Sequence, residues 1–60
     1  MIRLNEETPL DVLNGIKPGD MVTDTFSKTG LVESIEMTDD GLYRIYEFML
    51  VTGRVITIKK

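Results

Sequence analysis

From residue 31 to residue 59, apolar and polar side chains alternate with a period close to two, broken by short polar segments that contain glycine. This pattern predicts strands joined by tight turns. A strand over residues 31–37 places Leu31, Ile35 and Met37 on one parity and Val32, Ser34 and Glu36 on the other, with Glu33 interrupting the apolar parity. One extra residue at a bulge near Glu33 repairs the pattern, because Val32 and Ile35 can then both face inward. Thr38-Asp39-Asp40-Gly41 is a hairpin turn, its Asp-Gly pair suited to positive φ. The longest strand, over 42–51, follows, and Thr52-Gly53 turns the chain into a last strand over 54–59.

The 42–51 strand has no clean polar face. Leu42, Arg44, Tyr46, Phe48 and Leu50 share one side, and Tyr43, Ile45, Glu47, Met49 and Val51 the other. A strand covered on both sides over its second half reads this way. Ahead of it, Lys17-Pro18-Gly19-Asp20 turns into a partly polar strand over 21–26, a second turn follows at 27–30, and Ile2 and Leu4 alternate about Arg3 in an edge strand over 1–4.

One segment departs from the β pattern. Thr8-Pro9-Leu10-Asp11 reads as a helix start, with Thr8 capping, Pro9 at the first helical position and Asp11 near the positive end. Gly15 supplies a left-handed stop and Pro18 prevents continuation, giving a short helix over 9–14 with Leu10, Leu13 and Ile16 on one face. The fold class is therefore mainly β: an SH3-like small barrel or a sheet of four to five antiparallel strands with one short N-terminal helix.

Composition narrows the picture. Eighteen of the 60 residues are Ile, Val or Thr and none is Ala, so side chains favoured in sheets dominate. The chain is one small domain with neither cysteine nor histidine, which removes disulfides, thiolate and imidazole metal sites, and the commonest catalytic bases and soft nucleophiles. Its formal charge is −3, and no basic arm stands apart. That disfavours binding driven by phosphate neutralisation. The absence of an apolar leader after Met1, or of any apolar run near 20 residues, points to a cytoplasmic protein without a membrane partner.

Pro18-Gly19-Asp20-Met21-Val22, followed by Gly30-Leu31-Val32-Glu33-Ser34-Ile35, resembles the opening of SH3-like small barrels of the KOW type. The resemblance covers residues 18–36 and implies a five-stranded, strongly bent barrel, used for protein or nucleic-acid contact and carrying no cofactor. The intervening loop holds one basic residue, Lys28, where nucleic-acid-binding members are rich in lysine and glycine.

Neither a catalytic constellation nor a phosphate cradle is signalled, and the five glycines stand apart at turns. Asp39 and Asp40 read as turn residues rather than cation ligands. Twenty-five of 60 residues are apolar, more than so small an interior holds, so some are expected outside. The expectation is a non-catalytic binding module of the kind a phage or bacterial accessory factor supplies. It touches a protein partner or a second copy of itself through Phe26, Tyr43, Tyr46 and Met49. The alternative is a nucleic-acid or ribonucleoprotein contact through Lys28, Arg44 and Arg54 beside the two tyrosines.

Overall fold

The computed structural model describes all residues, 1–60. Five strands and one helix follow in the order β1 (Ile2–Leu4), α1 (Leu10–Gly15), β2 (Met21–Asp24), β3 (Thr29–Asp39), β4 (Arg44–Leu50) and β5 (Val55–Lys59). They form one mixed sheet in sequential order. The meander β2 to β5 is antiparallel, as the turns predicted, but β1 runs parallel to β2, with Ile2 opposite Val22 and Leu4 opposite Asp24. A wholly antiparallel sheet is thus corrected to a mixed one. Parallel neighbours need a crossover. Residues 5–20 provide it, and they carry α1 onto one face of the sheet.

That face holds the core: Leu4, Leu13, Ile16, Val22, Val32, Tyr46, Phe48, Leu50, Ile56 and Ile58. The register shifts between Val32 and Ser34, so Glu33 is the extra residue of a bulge. Without it, strict alternation from Val32 would turn Ser34 and Glu36 inward. With it, Val32 faces Leu50, Ile35 faces Phe48, and both pack into the core. The bulge bends β3, whose first three residues, Thr29 to Leu31, pair with β2 and whose remainder pairs with β4.

The curled sheet stays open. Leu4, Asn5 and Glu6 face Ile56, Thr57 and Ile58 across a cleft of about 260 Å³, while β1 pairs only with β2 and β5 only with β4. Two lysines span the seam, Lys28 Nζ donating to the Val55 carbonyl and Lys60 Nζ to that of Glu6.

Three local expectations change. Thr8 does not cap α1: its hydroxyl accepts from the Asn5 amide at 3.0 Å, and the side chain is buried in the turn after β1. Pro9 stands at the N-cap with extended ψ, its carbonyl accepting from Val12 and Leu13. Gly15 closes the helix without positive φ, because Ile16 continues in extended conformation ahead of Lys17-Pro18. The left-handed glycine is instead Gly19, at φ 96°, where Pro18-Gly19 makes a turn closed by Asp20 N to Lys17 O. Leu10 is left exposed, so Leu13 and Ile16 are the only buried apolar anchors of the helix segment.

β3 is longer than the expected 31–37, taking Thr29 and Gly30 out of the expected 27–30 turn and Thr38 and Asp39 out of the next, while two strands are shorter than the alternation suggested. β2 stops at Asp24 because its carboxylate accepts from the amides of Phe26 (2.9 Å) and Lys28 (2.7 Å), wrapping the loop around itself. β4 begins at Arg44 because Asp40 Oδ1 accepts from the amides of Leu42 (3.0 Å) and Tyr43 (2.8 Å). Those amides, Tyr43 first, hold the Asp40 carboxyl below the ordinary aspartate value of 3.8. A lowered folded pKa contributes stability that is present above the unfolded value and lost as pH falls through the folded one. Asp40→Ala is therefore expected to flatten the acid side of the stability curve. The check is thermal melting of both proteins between about pH 5 and pH 2, and equal losses would show that the turn carboxylate contributes nothing.

Candidate protein-binding face

Because the curled sheet encloses the core on one face, with Leu13 and Ile16 of the α1 segment joining it there, the opposite face meets solvent, and strand register decides which residues share it. Met21 stands opposite Leu31, and the Val51 amide donates to the Leu31 carbonyl at 2.9 Å, so these three make one row across the sheet. The next row is Ser34, Met49 and Val55. Met21, Leu31, Val51 and Val55 are each between 37% and 55% exposed, and Met49 is half-buried. An antiparallel sheet with one covered face normally presents polar side chains on the other. Here five apolar residues from β2 to β5 form a band on it.

The band continues into charge. Glu36 stands directly opposite Glu47, with Thr57 beside them on β5, and beyond lie Thr38, Ile45 and Lys59. Neither glutamate has a cation within ion-pair distance, since the chain's one ion pair joins Arg44 to Asp39 at 3.5 Å. Lys59, the base on this face, has Nζ 4.0 Å from the centre of the Tyr43 ring.

The residues expected at an interface do not form one patch. Tyr46 is withdrawn from it: the side chain is 3% exposed, in the core, and its hydroxyl donates to Asn14 Oδ1 at 2.8 Å. Its parity with Phe48 and Leu50 places it under α1. Met49 lies in the apolar band. Phe26 is 80% exposed in the β2–β3 loop, beside the seam, whereas Tyr43 sits at the opposite end of the sheet in the β3–β4 turn. There Leu10, Leu42 and Tyr43 line a shallow depression shared with the charged Asp39, Arg44 and Lys60.

The basic residues of the alternative are also divided. Arg44 opens β4 beside Asp39, while Arg54, whose carbonyl accepts from Leu50, and Lys28, whose Nζ reaches the Val55 carbonyl, lie towards the far end of the seven-residue strand, roughly 20 Å long at 3.3 Å per residue. A continuous basic track is not formed by these three. Asp39 and Asp40 use their carboxylates on backbone amides, Asp39 Oδ1 accepting from Gly41 at 2.9 Å, as turn residues do.

Met21, Leu31 and Val55 escaped the sequence reading, and Val51 entered it only as part of the two-sided 42–51 strand. Their signal was present but indirect, because the band appears only when residues from four strands are aligned by register. The widest cavity, about 500 Å³ between β1 and the β2–β3 loop, is open and lined mainly by Arg3, Asn5, threonines, Asp24 and Ser27. No helix is long and apolar enough to cross a membrane. No family model, curated protein or solved structure matches this chain.

Proposed function

We propose that this protein is a non-catalytic binding module whose uncovered sheet face docks against another protein. The observation that carries this reading is the apolar band of Met21, Leu31, Val51, Met49 and Val55, on the side that α1 leaves bare. Contiguous apolar surface rimmed by polar residues is the usual mark of a contact site. Methionine suits it further, being adaptable in shape. A standard interface takes about 800 Å² from each partner, roughly a fifth of the 4054 Å² this chain exposes. The likeness of residues 18–36 to KOW-type barrels is compatible with such a role.

The test uses a photo-crosslinking side chain at Leu31 or Val51, with Glu7, an exposed residue before α1, as the control position. Discrete protein adducts are expected from the first two positions and not from the third. In the Leu31→Asp, Val51→Asp variant, adducts from a crosslinker at Val55 should fall at least tenfold, since a carboxylate desolvated against an apolar partner costs more than the roughly 1.4 kcal/mol that a decade requires. Its melting temperature should stay within a few degrees, because both sites are half exposed. Equal adducts from all positions, or none from Leu31 and Val51, would remove the reading.

A further inference from the structure

Resting on the proposed use of the uncovered face, we infer that its partner is a protein segment carrying arginine or lysine next to apolar side chains, with the base seated at Glu36 and Glu47. The apolar band alone would accept any greasy surface. The neighbouring row makes the face selective. Glu36 and Glu47 are Cα partners on β3 and β4, and like charges placed directly opposite each other destabilise a sheet. Glu47 is half-buried, with Ile45 and Met49 two residues away on the same strand face.

The chain's own cations do not relieve this pair. The one ion pair is Arg44 with Asp39, so Arg3, Lys17 and Arg54 pair with neither glutamate, while Lys28 Nζ is on the Val55 carbonyl, Lys60 Nζ is on the Glu6 carbonyl, and Lys59 lies over Tyr43. Glu33, at the bulge, adds a third negative charge near the band. An arriving guanidinium or ammonium would meet two carboxylates with free acceptor oxygens beside an apolar floor. Arginine suits this best, since its fork can bond carboxylates in pairs while its stem packs on methyl groups. A second copy would bring its own Glu36–Glu47 row and a net charge of −3, and nucleic acid would bring phosphates. Charge complementarity therefore favours a basic, partly apolar protein segment.

The probes are two soluble synthetic peptides, one alternating leucine with arginine and the other leucine with glutamate, titrated while methyl resonances of Met21, Leu31, Met49, Val51 and Val55 are observed. The arginine peptide is expected to shift these methyls, to weaken with added salt, and to lose at least tenfold in affinity against the Glu36→Gln, Glu47→Gln variant. The free variant should melt a few degrees higher than the parent, because the repulsion is gone. The glutamate peptide and a single-stranded DNA oligonucleotide should leave the methyls unmoved. The inference is overturned by equal binding of both peptides, by undiminished binding to the double glutamine variant, by no shift at the band, or by DNA shifting it. If both peptides bind and Leu31→Asp, Val51→Asp abolishes both, the docking face stands and only its basic partner falls.

Discussion

Phe48→Ala is expected to leave the chain unfolded, or close to it, at room temperature. Phe48 is fully buried in the middle of β4, with Ile35 opposite on β3 and Ile56 opposite on β5. Its ring lies nearly parallel to that of Tyr46, 6.2 Å between centres. Truncating a buried phenylalanine costs about 3–5 kcal/mol, from lost transfer energy and from the cavity that remains. A domain of this size has a total stability of roughly 3–9 kcal/mol at 0.05–0.15 kcal/mol per residue. The loss is thus comparable with the whole. No disulfide limits the unfolded chain, because there are no cysteines. Circular dichroism at neutral pH should show loss of the sheet signal or a melting temperature lowered by tens of degrees. A drop smaller than about 5 °C would mean that the sheet closes over the gap.

Leu13→Ala should be the next most damaging change, and damaging in a different place. A helix of six residues is too short to persist alone. α1 is held down by Leu13, 1% exposed, by Ile16, and by the Tyr46 to Asn14 hydrogen bond. Truncating the leucine costs about 2–5 kcal/mol, and the first structure to open should be the crossover. Hydrogen exchange should therefore show the amides of Leu13 and Ile16 losing protection before those shared by β3 and β4. Simultaneous loss in both would show that helix and meander unfold as one unit.

The two variants mark how the molecule divides its faces. Phe48 and Leu13 meet on the covered side, where every strand from β1 to β5 contributes to the core. The uncovered side carries Met21, Leu31, Met49, Val51 and Val55 without a helix to shield them. A 60-residue domain has one helix to spend and two sheet faces to cover. The surplus apolar surface follows from that geometry, and the proposed partner completes it.

Three of the turns were legible because each is specified by residues close in sequence, whereas the one expected at 27–30 falls earlier, with Ser27 at positive φ and Thr29 and Gly30 already in β3. Pro18-Gly19, Asp40-Gly41 and Gly53 all mark turns, with the three glycines at positive φ. The bulge at Glu33 was legible for a related reason, since an apolar pattern that changes parity has one inexpensive local repair. The helix was legible as an element, but its capping was not, because whether Thr8 serves α1 or the turn after β1 depends on where β1 lies. The parallel pairing of β1 was hidden in the same way: Ile2 and Leu4 alternate identically beside either neighbour.

The site divides along the same line. Alternation within residues 42–51 showed that neither face of that strand was polar, yet gave no reason to bury Tyr46 and leave Met49 half-open. Periodicity and turn chemistry, acting over two to four residues, by themselves determined a small β meander with a bulge, a short helix and more apolar side chains than it can hide. Only the tertiary structure decided which face α1 covers, and hence that Met21, Leu31 and Val51 form a band beside the opposed Glu36 and Glu47. The crossover that places α1 and the register that aligns four strands are relations between residues distant in the chain, settled when the core closes.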